Sequence, residues 1–415
     1  MRRGSFFILA LASCVGFLPA LAAEESTTGW TASPDVIAEL AERIPTANFD
    51  EAKVPPYTLP DPLTDDDGAR VTQRTWPARR AEIVELFREH VYGRVPVDRP
   101  PNLSFDVVVE GANDLEGKAT RKLVEISFDT PHAGRFSFQA QLFLPNDAAG
   151  PVPTFVLLQF QGLVDPATEQ IIDRGYGVAI LDRTGLAADD AGTYRDGIIN
   201  AFSGPEELPA DAWRAIAAWA WGASRVMDYL ETEPAVDKRR VAVIGFSRMG
   251  KTALWAGAAD ERFAAVISNE SGCGGAALSR RAYGETVGRI TTAFPHWFCE
   301  NFSRFADHEN ELPVDQHMLV ALAAPRPIYV ASADEDLWSD PRGEFLACVH
   351  ANPVYRLLGR PGLETDQMPP LDSPLDAGPI GYHVRRGRHG LLEYDWRQFM
   401  DFLDRHLAKS KAAPR

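Results

Sequence analysis

One stretch near the middle of the chain has the pattern of a strand, a sharp turn and a helix. Four apolar, mostly β-branched residues end at Gly245, and from Lys251 onwards small and straight-chain helix formers predominate. Ser247 lies at the turn between them. A serine at the apex of such a turn projects its hydroxyl out of the sheet, close to the first amides of the following helix. The stretch therefore predicts an α/β fold and a nucleophilic serine.

The motif around Ser247 is a variant of the usual nucleophile elbow, which has glycine two places before and two places after the serine. Gly245 satisfies the first position, whereas Met249 occupies the second and Gly250 follows one place later. The pattern is therefore GxSRxGK. The alternative is that Ser247 only caps the helix that begins near Arg248, since serine is a common N-cap residue. Catalytic partners elsewhere in the chain would distinguish the two.

The remaining patterns predict an α/β-hydrolase fold, with a mainly parallel central sheet flanked by helices. Three alternating segments form an antiparallel beginning, and short apolar runs then alternate with helical patterns, which is the rhythm of parallel βαβ units. No internal repeat is present, which argues against a solenoid. The predicted strands are 104–110, 121–128, 136–144, 153–160, 177–182, 241–244, 263–268, 327–332 and 381–385, and the main predicted helices are 75–92, 169–174, 210–231 and 393–407.

The beginning of the chain has the pattern of an export signal. Two arginines precede an apolar run that ends in Ala20-Leu-Ala22, so a signal peptide over 1–22 is expected. The alternative is a lipoprotein signal over 1–13, with Cys14 lipidated. The protein is therefore predicted to be periplasmic or secreted, with a lipid anchor in the second case. No later stretch is long and apolar enough to span a bilayer.

The rest of the chain is predicted to form one catalytic domain with additions at both ends. An N-terminal extension over 23–103, which contains a proline-rich strap at 54–62, is expected to pack on an α/β-hydrolase domain over 104–408, followed by a tail over 409–415. Repeated prolines fix extended backbone, which suits a segment that lies along the surface of a core.

Charge and cysteine content exclude several function classes. The formal net charge is −16, so the surface repels polyanions and nucleic-acid binding is not expected, whereas a neutral or cationic substrate is admitted more easily. Beyond the export signal the cysteines are Cys273, Cys299 and Cys348. They have no metal-ligand spacing and allow at most one disulfide. No metal site is predicted.

A catalytic serine requires a histidine that takes its proton and an acid that orients the histidine. In α/β hydrolases the acid and the histidine follow the serine in the chain, on loops after later strands. His389 lies just after the strand predicted at 381–385, as this order requires. His383 lies within that strand and His406 near the end of the last helix, so both are interpreted as structural or surface residues.

Two acids are candidates for the partner of His389. Asp336 follows the strand at 327–332, in the usual position for the triad acid, and its loop adjoins the histidine loop; Asp334 is an alternative in that loop. Glu270 follows the strand at 263–268, at the same edge of the sheet. Asp340 precedes a proline and is expected to open the next helix. The residues alone favour Asp336.

Six motifs together resemble those of the glucuronoyl esterases, specifically their bacterial branch. These carbohydrate esterases cleave esters of 4-O-methyl-glucuronic acid on xylan, and the resemblance extends from about Tyr57 to the final helix. The motifs are Gly245-Phe-Ser-Arg-Met-Gly-Lys251, Glu270-Ser-Gly-Cys-Gly-Gly-Ala276, Thr292-Ala-Phe-Pro-His-Trp-Phe298, Leu312-Pro-Val-Asp-Gln-His317, Asp336-Leu-Trp338 and Gly387-Arg-His389.

The resemblance implies a set of catalytic roles. Ser247 would be the nucleophile and His389 the general base. Glu270 matches the acid of the family, and Asp336 matches a second acid found in bacterial relatives, so one or both would orient the imidazole. Arg248 would offer a backbone amide and its guanidinium to the oxyanion, where negative charge develops.

The resemblance also implies how the substrate is held. Lys251 and Glu285 would bind hydroxyls of the sugar, and Trp338 would stack on its ring. The substrate would be glucuronoxylan or a lignin–carbohydrate ester, with no cofactor, and the protein would be a monomer. The chain departs from the family pattern at 159–164, where relatives carry a turn rich in glycine and asparagine, and at Phe246 and Cys273.

Two other functions are compatible with the same scaffold. One is an acetyl-xylan or other carbohydrate deacetylase, and the other is a catalytically inactive carbohydrate-binding relative. The complete set of Ser247, an acid and His389 argues against the inactive relative. A peptidase of the prolyl-oligopeptidase kind is disfavoured by the GxSRxGK motif and by the lack of a propeller domain.

Overall fold

The computed structural model describes residues 29–65, 67–100, 102–363 and 365–407. The predicted export signal, with its alternative lipidation site at Cys14, and the predicted tail lie outside these residues. In the described ranges, no helix combines the length and the apolar character that a membrane crossing requires.

A nine-stranded sheet forms the centre of the molecule, in the order β1-β2-β3-β5-β4-β6-β7-β8-β9. The first three strands and β5 pair antiparallel, whereas β5, β4 and β6 to β9 are mutually parallel. The predicted α/β-hydrolase fold, mainly parallel with an antiparallel beginning, is confirmed. The strands are β1 Ser104–Asp114, β2 Ala119–Thr130, β3 Gly134–Pro145, β4 Val152–Gln159, β5 Gly177–Asp182, β6 Val236–Phe246, β7 Ala265–Asn269, β8 Ile328–Ala333 and β9 Ile380–Arg385.

Helices cover both faces of this sheet. Because successive strand residues point to opposite faces, Val243 packs in the core under the helices that follow β5 and β6, while Ile244 packs in the core on the other face with Trp396. The helices are α1 Pro34–Arg43, α2 Trp76–Phe87, α3 Thr168–Asp173, α4 Ile198–Ser203, α5 Ala215–Leu230, α6 Arg248–Ala259, α7 Val287–Ala293, α8 Glu300–Ser303, α9 Gln316–Ala321, α10 Pro341–Leu357 and α11 Glu393–His406.

The helix predicted over 210–231 begins later than its composition suggests. Residues before Ala215 pair with the N-terminal part of the chain instead, because the Arg94 amide donates to the Asp211 carbonyl at 2.8 Å. Gly93 permits this approach: its φ is +90°, and a Cβ there would lie 2.3 Å from the Ala212 carbonyl oxygen. A tertiary contact therefore overrides local helix propensity.

The described part of the N-terminal segment packs closely on the rest of the molecule. Leu40 and Phe49 form a small apolar cluster with Tyr283 and Leu337, and the Gly284 amide donates to the Asn48 carbonyl at 2.8 Å. The proline-rich strap is tied down by a hydrogen bond between the imidazole of His317 and the Pro60 carbonyl at 2.9 Å.

Candidate active site

Four loops that follow neighbouring parallel strands meet at one edge of the sheet. Ser247 follows β6, Glu270 follows β7, Asp336 comes after β8 and His389 after β9. Since β6 to β9 are adjacent and parallel, their carboxyl ends lie side by side. Sequence order and topology thus bring all four predicted residues to the same rim.

Ser247 occupies a strained turn. Its φ is +58° and its ψ is −126°, a conformation that side-chain-bearing residues rarely adopt, and it directly precedes α6. Gly245 is required nearby, because a Cβ there would lie 2.0 Å from the Met249 carbonyl oxygen. The Ser247 side chain makes no capping hydrogen bond to α6. The geometry therefore favours the nucleophile-elbow interpretation over the helix-cap alternative.

The imidazole of His389 lies between two carboxylates. Its Nδ1 is 2.6 Å from Asp336 Oδ2 and 3.1 Å from Glu270 Oε2. Two acceptor oxygens at these distances require a proton on Nδ1, which leaves Nε2 as the nitrogen that can accept one. On its other side the imidazole contacts the ring of Phe246, with 4.5 Å between centroids. Phe246 immediately precedes Ser247, so the histidine and the serine turn lie together.

Glu270 is buried and firmly held. It adopts a φ of +47°; Oε1 accepts a hydrogen bond from Arg385 Nη2 at 2.5 Å, and Oε2 accepts one from the Gly390 amide at 2.9 Å. Arg385 also pairs with Asp395 at 2.9 Å. Glu270 therefore supports the histidine loop from beneath as well as contacting the imidazole.

Burial and charge act in opposite directions on this cluster. Burial raises the pKa of Glu270, against the lowering effect of His389 and Arg385. Burial alone would lower the pKa of His389, but hydrogen bonds to Asp336 and Glu270 raise it above its usual value. The two carboxylates thus stabilise the imidazolium form, which is the form that arises when a serine gives up its proton.

The same three side chains are the one group in the described ranges with ligand atoms close enough to hold a metal ion, all within 4.8 Å of one another. The donor set suits a cation poorly. Glu270 is already neutralised by the Arg385 guanidinium, and Nδ1 carries a proton rather than a free lone pair. No metal is assigned to the cluster.

Arg248 is the first residue of α6, so its backbone amide is among those that have no partner within the helix. Its guanidinium pairs with Asp189 and lies over the rings of Phe160 and Trp297, at 5.3 and 5.0 Å from their centroids. The side chain remains 31% exposed. The backbone amide is therefore adjacent to Ser247, and the guanidinium lies among Asp189 and these rings.

Lys251, Glu285 and Trp338 are linked to one another by polar contacts. Lys251 Nζ pairs with Glu285 at 3.3 Å and also donates to the carbonyls of Ser271 and Cys273, at 2.7 and 2.6 Å. The Glu285 amide donates to the Trp338 carbonyl at 3.0 Å. Trp338 is partly buried, in contact with the apolar cluster around Tyr283 and Leu337.

Known proteins are similar in sequence to this chain over most of its length. A family sequence model described as "Glucuronyl esterase, fungi" matches residues 130–359. The carbohydrate esterase MZ0003 from an unknown prokaryotic organism is 42% identical to this chain, over 92% of this chain and 96% of its own length. The chain belongs to the glucuronoyl esterase family.

Two further relatives agree with this assignment. The solved structure of a glucuronoyl esterase from Solibacter usitatus has 43% sequence identity and a TM-score of 0.80, over 85% of this chain and 99% of that one. A 4-O-methyl-glucuronoyl methylesterase from Phanerochaete carnosa is 32% identical over 73% of each chain. The predicted family resemblance is confirmed, and the protein is a carboxylic ester hydrolase of the glucuronoyl esterase family.

The structure of this glucuronoyl esterase describes two of the positions at which the sequence analysis expected a departure from the family pattern. In the turn after β4, Gln159 Nε2 donates to Asp165 at 2.8 Å, and its Oε1 accepts from the Phe160 amide at 3.1 Å. This side chain therefore stabilises the turn. Cys273, like Cys299 and Cys348, is a buried free thiol, so the single disulfide that the sequence allowed is absent among the described residues.

Sequence reasoning missed three residues that contact Arg248 or its partner. Asp189 lies in the loop after β5, and the sequence has no motif that marks it. His296 and Trp297 belong to the motif at 292–298, which was recognised without a role for either residue. His296 Nε2 and Trp297 Nε1 lie 2.8 and 2.6 Å from Asp189 Oδ1.

Proposed function

We propose that the protein hydrolyses the ester between 4-O-methyl-D-glucuronic acid of glucuronoxylan and an alcohol, either a lignin alcohol or methanol. The observation that carries this proposal is the doubly contacted imidazole of His389 beside the strained turn of Ser247. Membership of the glucuronoyl esterase family supports the uronic acid as the acyl group.

The proposed reaction is acyl transfer in two steps. Ser247 Oγ attacks the ester carbonyl while Nε2 of His389 accepts its proton, and the carbonyl oxygen becomes negatively charged. The imidazolium then gives the proton to the departing alcohol oxygen, which leaves the uronoyl group on Ser247. Water, deprotonated by the same nitrogen, attacks this acyl-enzyme, and the uronic acid departs as Ser247 recovers its proton.

The oxyanion is stabilised by the first residue of α6. The backbone amide of Arg248 points from the positive end of the helix, and its guanidinium adds a full charge from the side. A charged donor of this kind interacts more strongly with the tetrahedral oxyanion than with the neutral ester. It therefore lowers the barrier rather than only improving substrate binding.

Both acids contribute to orienting His389, with Asp336 as the closer partner. The distances of 2.6 Å to Asp336 and 3.1 Å to Glu270 support a shared role. Glu270 has a second task, since its bonds to Arg385 and Gly390 hold the loop that carries the imidazole. Each carboxylate can partly substitute for the other.

The sugar ring is held by Glu285 and Trp338, and Lys251 acts through Glu285 rather than on the sugar directly. The lysine is only 4% exposed, and its donors are engaged by protein acceptors. It therefore orients Glu285, whose carboxylate offers acceptor oxygens to sugar hydroxyls. Trp338 provides a flat apolar face for the ring.

Charge and location agree with such a substrate. The uronic ester is neutral, so a protein with a formal net charge of −16 admits it, whereas the carboxylate product is repelled and leaves. We propose that the mature enzyme is exported as a monomer, either free or lipid-anchored through Cys14. Neither a metal nor an organic cofactor takes part in any step.

The decisive experiment is hydrolysis of methyl and benzyl glucuronate by the wild-type protein and by Ser247→Ala. We expect turnover by the wild type and a loss of at least about 10³-fold in kcat for the variant. Equal rates would refute the proposal. Acetylated xylan is assayed in parallel: turnover of the acetyl ester alone would identify a deacetylase, and turnover of neither substrate would identify an inactive carbohydrate-binding relative.

A further inference from the structure

The loop after β5 contributes a carboxylate that contacts an unusual number of donors. Asp189 is nearly buried and lies within ion-pair or hydrogen-bond distance of Arg248, of Arg183 at 3.4 Å, of His296 at 2.8 Å and of Trp297 at 2.6 Å. Burial would raise its pKa, but these donors bring the pKa well below the usual range for aspartate. Asp189 is therefore ionised whenever the enzyme is active.

Arg248 is confined by this carboxylate and by aromatic rings. Its guanidinium lies 5.3 Å from the ring centroid of Phe160, 5.0 Å from that of Trp297 and 5.9 Å from that of Phe294. Its Nε is buried and has no hydrogen-bond partner among the described residues. The contact of Nη1 with Asp189 is therefore the polar interaction that determines how the guanidinium is turned between the rings.

A long arginine side chain stabilises an oxyanion well only if it is already in place when the charge develops. A neighbouring carboxylate can hold the arginine side chain in place, but it also reduces the positive potential of the guanidinium. This loss of positive potential is offset by three other groups that interact with the negative charge of Asp189. They are the indole N–H of Trp297, the imidazole of His296 and the guanidinium of Arg183. Arg248 is thus held in place while most of its charge remains available.

We propose that Asp189 is a positioning residue for the reaction, and that it orients the Arg248 guanidinium towards the oxyanion site. His296 and Trp297 hold Asp189 in turn, which assigns a role to the 292–298 motif. The inference rests on the proposed function, since it concerns the oxyanion formed when Ser247 attacks the ester. Asp189 itself does not touch the substrate.

The first test is Asp189→Asn, which retains the shape of the side chain but removes its charge. Because the oxyanion is absent from the bound ester and develops only as Ser247 attacks, we expect kcat for methyl glucuronate to fall by about 10- to 100-fold while KM changes by less than about twofold. The matched control is Asp190→Asn. Asp190 is the next residue, and its carboxylate is bonded locally, to the Gly192 amide and the Thr193 hydroxyl, so its variant should keep wild-type kinetics.

A double-mutant cycle separates positioning from a general structural effect. In an Arg248→Ala background Asp189 has no guanidinium left to orient, so adding Asp189→Asn should lower kcat by less than about twofold. The same proportional loss in both backgrounds would overturn the proposal, and so would an unchanged kcat for Asp189→Asn alone.

Two further variants distinguish the positioning role from a folding failure and from a failure of the proposed function. Trp297→Phe removes the 2.6 Å N–H donor to Asp189 but keeps an aromatic ring beneath Arg248. We expect it to lower kcat as well, and it provides the test of the positioning role if Asp189→Asn fails to fold. Ser247→Ala is assayed alongside. If it remains active, the proposed function has failed; if it is inactive while Asp189→Asn is unimpaired, only the positioning role is wrong.

Discussion

Replacing the two carboxylates beside His389 one at a time should affect catalysis and the stability of the fold to different degrees. Asp336 lies 2.6 Å from Nδ1 and Glu270 lies 3.1 Å from it. Glu270 is in addition paired with the buried guanidinium of Arg385 at 2.5 Å. We therefore expect Asp336→Asn to change mainly activity, and Glu270→Gln to change the stability of the fold as well.

The size of the catalytic effect follows from the redundancy of the acids. Removing the only acid of a Ser-His-Asp triad lowers kcat by about 10⁴-fold. Here a second carboxylate remains 3.1 Å from the imidazole, so we expect Asp336→Asn to lose about 10- to 100-fold in kcat, well short of the single-acid case. The double replacement should approach the full loss.

The pH profile provides an independent measure. His389 must be neutral to accept the serine proton, and its pKa is raised mainly by hydrogen bonds to Asp336 and Glu270, against the lowering effect of burial. Activity of the wild type is therefore lost as the pH falls through a value above that of an ordinary histidine. An opposite charge nearby shifts a pKa by about one to three units, so Asp336→Asn should move this acid limb to lower pH by about one unit.

The stability difference comes from the buried ion pair. Removing one partner of such a pair costs about 3–5 kcal/mol. Arg385 still pairs with Asp395 at 2.9 Å after Glu270→Gln, so the cost should lie at the lower end, about 3 kcal/mol. Asp336→Asn leaves no buried guanidinium without its partner and should cost much less.

Both effects can be measured on the same variants. kcat/KM for methyl glucuronate is recorded across the acid limb, and the free energy of unfolding is obtained from urea titration. Asp334→Asn is the matched control, since that carboxylate bonds the Gly387 amide at 2.7 Å rather than the imidazole. An unmoved acid limb for Asp336→Asn, or equal unfolding free energies for Asp336→Asn and Glu270→Gln, would refute the reasoning.

Three other predictions concern the surroundings of the site. Gly245→Ala should lower the unfolding free energy by roughly 2–4 kcal/mol and abolish turnover, because its Cβ would lie 2.0 Å from the Met249 carbonyl oxygen; a wild-type melting temperature would contradict this. Lys251→Met should raise KM and lower the melting temperature, because it leaves Glu285 and two buried carbonyls without their donor; unchanged KM would exclude its role in the sugar site. Burial raises the pKa of Glu344 from 4.5 to about 8. The contribution of this group to the free energy of unfolding is therefore fully present below pH 4.5 and is lost as the pH rises through about 8. Urea titrations of Glu344→Gln should lack that slope, and an identical slope would show that another group produces it.

The sequence by itself determined the framework of this protein. The apolar run before Gly245, the helix formers after Lys251 and the βαβ rhythm are local patterns, and local patterns are set by residues close together in the chain. From them came the parallel sheet, the turn at Ser247 and the position of His389 after a later strand. Topology then requires such loops to meet at one edge, so the rim of the site was predictable.

Only the tertiary structure decided how side chains from distant loops meet. The difference between 2.6 Å and 3.1 Å at His389, and the pairing of Arg248 with a loop carboxylate, depend on how the strands from β5 to β9 position the loops that follow them. Periodicity carries no information about contacts between residues 59 positions apart, such as Asp189 and Arg248. The late start of α5 has the same physical origin, since pairing with Arg94 overrides a favourable local propensity.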